Sequence, residues 1–193
     1  MSELVFVTQN KHKLEEVTAM LPDDFNLISL ADINFFDDID ETGSTLEENS
    51  RIKAQTIHNK FNVDCFADDT GLEVEALNGA PGVLSARYAG EEHDFAANLS
   101  KLQTDMVGMQ NRKARFRTVI TLIIKNKEYQ FEGIVNGTII NDQRGVDGFG
   151  YDPVFLPDGY NKTFAEMALD KKNKISHRAL AFKKLNDFLS SFE

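Results

Sequence analysis

Apolar residues recur with two different periods along this chain, and the order in which those periods alternate restricts it to a mixed α/β fold. Residues 4–7 (LVFV) form a short uninterrupted apolar run, the pattern of a strand buried on both faces. Over residues 10–21 the spacing becomes helical, with Leu14, Val17 and Leu21 on one stripe. Residues 25–30 predict a second strand. Residues 44–62 predict a helix with Leu46, Ser50, Ala54, Ile57 and Phe61 on one side. A short strand is expected at 63–67, and 72–76 alternates apolar and acidic residues, the period of a half-exposed strand. Residues 95–106 read as a helix. Residues 115–125 and 128–140 read as a long hairpin turning at 125–127. Residues 176–192 read as a last helix, with Ala181, Leu185, Phe188 and Phe192 in register. A hairpin late in the chain, behind strand–helix units, predicts α/β with a central mixed β-sheet flanked by helices rather than a doubly wound parallel sheet. Neither a repeat nor a Pro/Ser-rich linker divides the chain, so residues 1–193 are expected to form one domain.

The formal charge is −10, from 21 basic and 31 acidic residues, which argues against sequence-independent binding to a nucleic-acid backbone. A local basic site for a small polyanion remains compatible with it. One cysteine, Cys65, excludes an internal disulfide and a cysteine-based structural zinc site. The first residues lack a basic n-region, and no apolar stretch approaches the ~20 residues of a membrane span. The expectation is a soluble cytoplasmic protein with no membrane partner.

Five constellations carry potential chemistry. Thr8-Gln9-Asn10-Lys11-His12-Lys13 lies where a strand passes into a helix. Free N–H groups and the positive end of the helix dipole suit an anion there, and an Asn N-cap with solvated lysines suits the same residues. Asp40-Glu41 and Asp68-Asp69 form an acidic group. The second pair is expected to end a strand at a Thr70-Gly71 turn, facing a ligand crevice or making an Asx turn. Oxygen ligands of this kind suit Mg²⁺, which takes one or two carboxylates plus substrate phosphates. Consecutive strand residues point to opposite faces, so at most one of the two aspartates is expected to face a given site. Lys53 lies roughly 20° from Leu46 on a helical wheel, at the edge of the buried stripe, where a lysine either snorkels or meets an anionic partner. Asn49 lies one turn before it. Residues 145–153 (GVDGFGYDP) make a Gly-rich loop in which Phe149 either stacks on a planar base or tucks into the core. Ser176-His177-Arg178 opens a helix with cations at the end where the dipole disfavours them. That hints at a ligand with acceptor groups, or at solvent-facing side chains; Lys172 lies just upstream. The basic run Arg112, Lys113, Arg115 and Arg117 reads as a solvated strand entry. Neither a G-x-G-x-x-G fingerprint nor a Walker A loop is present.

Taken together and in this order, these segments resemble the inosine/xanthosine triphosphate pyrophosphatase (Ham1-like) family. The matching residues are Thr8-x-Asn10-x-x-Lys13; Glu41-Thr42-Gly43 with Glu48-Asn49 and Lys53-Ala54; and Ala67-Asp68-Asp69-Thr70-Gly71-Leu72. They continue with Gly79-Ala80-Pro81-Gly82 to Ser85-Ala86-Arg87-Tyr88, then Gly148-Phe149-Gly150-Tyr151-Asp152-Pro153, and Ser176-His177-Arg178. The resemblance implies hydrolysis of ITP, dITP and XTP to the monophosphate and pyrophosphate with Mg²⁺. It also implies a homodimer, and an elongated α/β fold with the nucleotide in a cleft between two lobes. Residue by residue, it makes Asp69 the general base and a metal ligand, and Glu41 a second metal carboxylate. Lys53 becomes catalytic; Thr8, Gln9, Asn10, Lys11, His12, Lys13 and Thr70 bind substrate. Phe149, Gly150, Tyr151, Asp152, Lys172, His177 and Arg178 form the base pocket. Gln9 stands where bacterial members often carry Gly, and Thr70 where many carry Ser. Residues 104–112 match no motif. Two other readings stay open: an enzyme of the same architecture acting on pyrimidine or modified nucleotides, and a non-enzymatic nucleotide sensor.

Overall fold

The computed structural model describes residues 2–18, 25–90 and 94–191, and everything below concerns those residues. Eleven main elements follow one another: β1 (Ser2–Phe6), α1 (Lys11–Thr18), β2 (Phe25–Ser29), α2 (Leu46–Phe61), β3 (Cys65–Val74), α3 (Phe95–Asp105), β4 (Lys113–Ile124), β5 (Lys127–Ile139), β6 (Phe155–Pro157), α4 (Leu169–Ile175) and α5 (His177–Ser191). The six strands form one sheet in the order β2-β1-β3-β4-β5-β6. β1 runs parallel to β2 and β3, and β6 is antiparallel to β5. The sheet is therefore mixed, as the late hairpin predicts. That hairpin turns on two residues, Lys125 and Asn126, both with positive φ (49° and 59°). Such a pair matches the right-handed twist of the flanking strands.

Two compact units divide the chain. The first comprises Met1–Asp69, Thr118–Gly133 and Ala179–Glu193; the second comprises Thr70–Arg117 and Ile134–Arg178. The first unit shows why residues 4–7 carry no polar alternation. Leu4 and Phe6 of β1 pack with Phe66 of β3 against Val17 of α1 and Phe182 and Leu185 of α5. Val5 and Val7 pack with Cys65 and Ala67 against Ala54 and Ile57 of α2. Both faces of β1 are buried, and alternate residues serve opposite helical layers. Phe6 and Phe66 stack with ring centroids 4.6 Å apart, and Phe182 meets both edge-on. The second unit has its own core, in which Leu72 and Val74 of β3 meet Leu99 and Leu102 of α3 and Phe155 and Phe164.

Several expectations require correction. The strands expected at 63–67 and 72–76 are one strand, β3, so Asp68, Asp69, Thr70 and Gly71 lie within a ladder and not at a turn. Residues 75 and 76, expected to end that second strand, belong instead to a 3₁₀ turn over Glu75–Leu77. Thr-Gly loses its turn preference here because Leu72 and Val74 are buried apolar residues that hold the chain extended beyond it. β6 and α4 have too few residues for a period to register, and they were not foreseen. The first helix is described to Thr18; its expected end, like Phe192, lies outside the described residues. No helix among the described residues is long and apolar enough to cross a membrane.

Candidate active site

In the first unit, the strand-to-helix turn at residue 8 is built by Asn10. Its Oδ1 accepts from the backbone N–H of His12 (3.0 Å) and Lys13 (3.2 Å), the N-cap geometry, while Thr8 Oγ1 accepts from Asn10 N (3.1 Å). Gln9 is exposed and donates to the carbonyl of Asp37 (2.9 Å), which ties the turn to the acidic loop. Lys11 and His12 are exposed on the first turn of α1. Lys13 turns inward, with Nζ 2.9 Å from Asp68 Oδ2, and the Asp68 side chain is fully buried.

α2 brings the second set. Thr45 caps it by accepting from Glu48 N at 3.1 Å, a contact whose loss would cost ~1 kcal/mol. Asn49 is 1% exposed, and its Oδ1 accepts from Gly43 N at 2.8 Å. A Cβ at Gly43 would fall 2.6 Å from that same oxygen, so only glycine lets the Glu41-Thr42-Gly43 loop lie against the helix. One turn on, Lys53 Nζ donates to Glu41 Oε1 (2.9 Å) and Asp69 Oδ1 (3.3 Å). Lys53 therefore has anionic partners and is not merely snorkelling. Burial opposes its charge, but the carboxylates of Asp69, Glu41 and Asp68 outweigh it and hold the ammonium above its ordinary pKa. Asp69 is held above the usual carboxylate range by burial first, with Lys53 pulling the other way. Its Oδ2 is buried and has no hydrogen-bond partner.

The alternation expected of a strand holds for the two aspartates. Asp69 follows Cys65 and Ala67 toward α2, and Asp68 follows Phe66 toward α1. They do not form a joint ligand pair. Among the described residues no group of three His, Cys, Asp or Glu could hold a metal by itself. The Asp69 carboxylate, with Oδ2 unpartnered, and Glu41 beside it fit a hard cation that takes one or two carboxylates and completes its shell from phosphate and water.

The second unit assembles the remaining residues around Asp152, which is 3% exposed. Its Oδ2 accepts from Phe149 N (2.9 Å) and from Lys172 Nζ (2.8 Å). Gly148 has φ +77°, and a Cβ there would fall onto that oxygen, so the loop needs glycine twice over at this point. Phe149 is half-buried and not tucked into the core. Lys172 Nζ sits 5.0 Å and the Arg178 guanidinium 5.7 Å from its ring centroid, within cation–π range. Arg178 is 1% exposed and lies 3.4 Å from Thr70 Oγ1. His177 is buried and stacks on Phe116 with centroids 4.5 Å apart. The solvent-facing alternative for His177 and Arg178 is thus excluded. Tyr151 is buried and donates to the Ser85 carbonyl at 2.8 Å, which fixes the loop from below. Gly150, with φ +63°, carries the chain between the two aromatics.

Arg115 and Arg117 of the basic run both pair with Glu73, at 2.6 and 3.0 Å. Ser85 and Phe95 were not foreseen as contributors to the loop. Ser85 lies inside a quoted segment, but its carbonyl carries no sequence signal. Phe95 looks like an ordinary first residue of an apolar helical stripe.

Comparison with known proteins gives one family. The Ham1 family model matches residues 4–188. The chain is 50% identical over 188 residues to the dITP/XTP pyrophosphatase of Christiangramia forsetii, covering 97% of this chain and 99% of that protein. It is 44% identical over 195 residues to the Bacillus subtilis dITP/XTP pyrophosphatase, covering 99% and 98%. Among solved structures, the Staphylococcus aureus Ham1 protein superposes with a TM-score of 0.91 at 37% identity over 100% of both chains. A HAM1 protein from Coxiella burnetii superposes at 0.92 and 36%, over 99% and 100%. With a family match running from the first strand to the last helix, and most of the matching motifs gathered into two polar clusters, the chain belongs to the Ham1 family.

Proposed function

We propose that this protein is a nucleoside triphosphate pyrophosphatase that hydrolyses dITP, ITP and XTP to the nucleoside monophosphate and pyrophosphate, clearing them from the nucleotide pool. The observation that supports this most is Asp69: a buried carboxylate with Oδ1 on Lys53 and Oδ2 unpartnered, in a chain half identical to an enzyme named dITP/XTP pyrophosphatase. Asp69 Oδ2 orients a water and takes its proton. The water oxygen bonds to the α-phosphorus, the bond from that phosphorus to the bridging oxygen breaks, and pyrophosphate leaves. Lys53 and Lys13, each already held by a carboxylate, stabilise the charge that builds on the departing group, together with the capped N-terminus of α1. Glu41 and Asp69 would hold Mg²⁺, which supplies neutralisation of the phosphate oxygens.

The base falls to the residues of the second unit. Phe149 offers a ring to stack on. Arg178 and His177 donate to the 6-oxo group that hypoxanthine and xanthine carry, and an adenine amino group would present a donor to a donor. Lys172 and Asp152 hold Phe149 and its loop in place. Thr70 lies beside Arg178, and Tyr151 and Gly150 shape the loop. The protein works as a homodimer in the cytoplasm, and residues 1–193 form one pyrophosphatase domain. The test is a panel of dITP, ITP, XTP, GTP, ATP and pyrimidine triphosphates with separate assays for pyrophosphate and orthophosphate. Mg²⁺-dependent pyrophosphate from dITP, ITP and XTP is expected. Stoichiometric orthophosphate without pyrophosphate, in a preparation free of inorganic pyrophosphatase, would overturn the reading. Sedimentation of the pure protein reads the dimer.

A further inference from the structure

We infer that Phe95, the first residue of α3, is a positioning residue for the base: it sets the orientation of the Phe149 ring and so contributes to base affinity through that ring. The inference rests on the proposed stacking role of Phe149 and adds a residue to it. α3 buries Asn98, Leu99 and Leu102, which lie at i+3, i+4 and i+7 from Phe95. Phe95 therefore stands on the core stripe, yet it remains 37% exposed, because the stripe reaches the helix end there. Its ring does not stop at the core. It lies 5.9 Å from the Phe149 ring, centroid to centroid, at an interplanar angle of 43°, within the range of favourable aromatic pairs. Asp94 fixes the helix end beneath it by accepting from Ala96 N (2.9 Å) and Ala97 N (3.0 Å), so Phe95 projects from a defined point.

Phe149 needs such a contact. It sits between Gly148 and Gly150, both at positive φ, in a stretch where its own backbone N–H is held by the Asp152 side chain and not by a strand ladder. Lys172 and Arg178 approach the ring as cations, which attract its face but set no in-plane direction. An aromatic neighbour on a rigid helix supplies that direction, and pre-setting the ring lowers the ordering cost when a base arrives.

The experiment measures kcat and KM for ITP in Phe95→Ala, Phe95→Leu, Phe95→Tyr, Phe149→Ala and the Phe95→Ala/Phe149→Ala double variant, with thermal melts of each. Phe95→Ala and Phe95→Leu are expected to raise KM about three- to tenfold, the scale of an aromatic pair. kcat should stay within about twofold, as befits uniform loss of binding. Phe95→Tyr is expected to restore wild-type KM. Inhibition by inorganic tripolyphosphate, which has no base, should be unchanged in all of them. In the Phe149→Ala background, Phe95→Ala should add nothing, since it acts through the ring already removed. A wild-type KM in both Phe95→Ala and Phe95→Leu, with Phe149→Ala impaired, would overturn this inference and leave the stacking role standing. So would a Phe95→Ala effect that persists in full on top of Phe149→Ala, or that weakens tripolyphosphate equally. A wild-type KM in Phe149→Ala would instead refute the stacking role itself, and this inference with it.

Discussion

Two substitutions at one buried ion pair should move stability in opposite directions while both suppress turnover. The Asp69 side chain is 9% exposed and the Lys53 side chain 11%, with Glu41 more open at 30%. Burial holds the Asp69 carboxyl above its ordinary value of 3.8, so the folded protein disfavours the ionised form. A group of that kind contributes its stability in full below the unfolded value and loses it as pH rises through the folded one. At neutral pH the wild type therefore carries the charge at a cost, and Asp69→Asn removes it with little change of shape. The metal-free Asn variant should melt at or above the wild type. Its kcat should fall ~10²- to 10⁴-fold, about 2.7–5.4 kcal/mol in the barrier, the scale of a lost general base. Lys53→Met does the reverse, leaving the Asp69 carboxylate buried beside Glu41 without its ammonium. Truncating one partner of a buried pair costs ~3–5 kcal/mol, and a chain of this size loses ~2–4 °C per kcal/mol, so the melt should drop by ~6–20 °C. The exposure of Glu41 places the drop in the lower half of that span. The assay is circular dichroism melting in chelator at neutral pH, with pyrophosphate release for kcat. A Lys53→Met protein as stable as the wild type, or an Asp69→Asn protein with kcat within tenfold of it, would refute the reasoning.

Other predictions follow from the same geometry. In the metal-free protein Asp69 should titrate above the ordinary aspartate range, because burial raises it; a carboxyl titration at or below 3.8, followed by NMR in chelator, would contradict this. Arg178→Ala should shrink the ITP-to-ATP ratio of kcat/KM by at least tenfold, since a site built to pair a polar group rejects its mismatch strongly; an unchanged ratio removes the 6-oxo readout from Arg178. Phe149→Ala should weaken every purine triphosphate about 5- to 100-fold through lost stacking, with preference largely kept. Gly148→Ala places a Cβ on Asp152 Oδ2 at a φ of +77°, so KM should rise and the melt should fall; wild-type values of both would show that the loop yields freely.

The first unit was largely legible because β1 and β3 are buried on both faces. Continuous apolar runs and a helical stripe then carry an unambiguous period. Lys53 stood out because a lysine at the edge of such a stripe needs a partner, and it has two. Reading Thr70-Gly71 as a turn that ends the strand at Asp68-Asp69 failed for a physical reason. Turn propensity is local, whereas the extended path through Thr70 and Gly71 is imposed by burial of Leu72 and Val74 further on. In the second unit the candidate base-pocket residues could be named but their contacts could not. Lys172 sits on a seven-residue helix too short to give a pattern, and its partner Asp152 is 20 residues away. His177 gave no hint that it stacks on Phe116, since charge and capping speak only of helix ends and not of what lies across a core.

The consecutive aspartates make the strongest link between local geometry and the proposed chemistry. Two adjacent carboxylates invite the reading of a shared metal clamp. On a strand they cannot be one, because their side chains leave opposite faces. Asp68 meets Lys13 from α1, and Asp69 meets Lys53 from α2. The pair thus fixes one lysine from each helical layer to neighbouring points of a single strand. An ammonium has three donors. Lys53 directs two of them to Glu41 and Asp69, which leaves one for a phosphate oxygen. Charge that is already oriented needs no reorganisation when the leaving group becomes more anionic, and that is where electrostatic catalysis gains most. The same arrangement explains why the site should be unstable in the right place. In the proposed mechanism a buried base must be held against its own desolvation, and Lys53 does so at Asp69 Oδ1, leaving the unpartnered Oδ2 for the water.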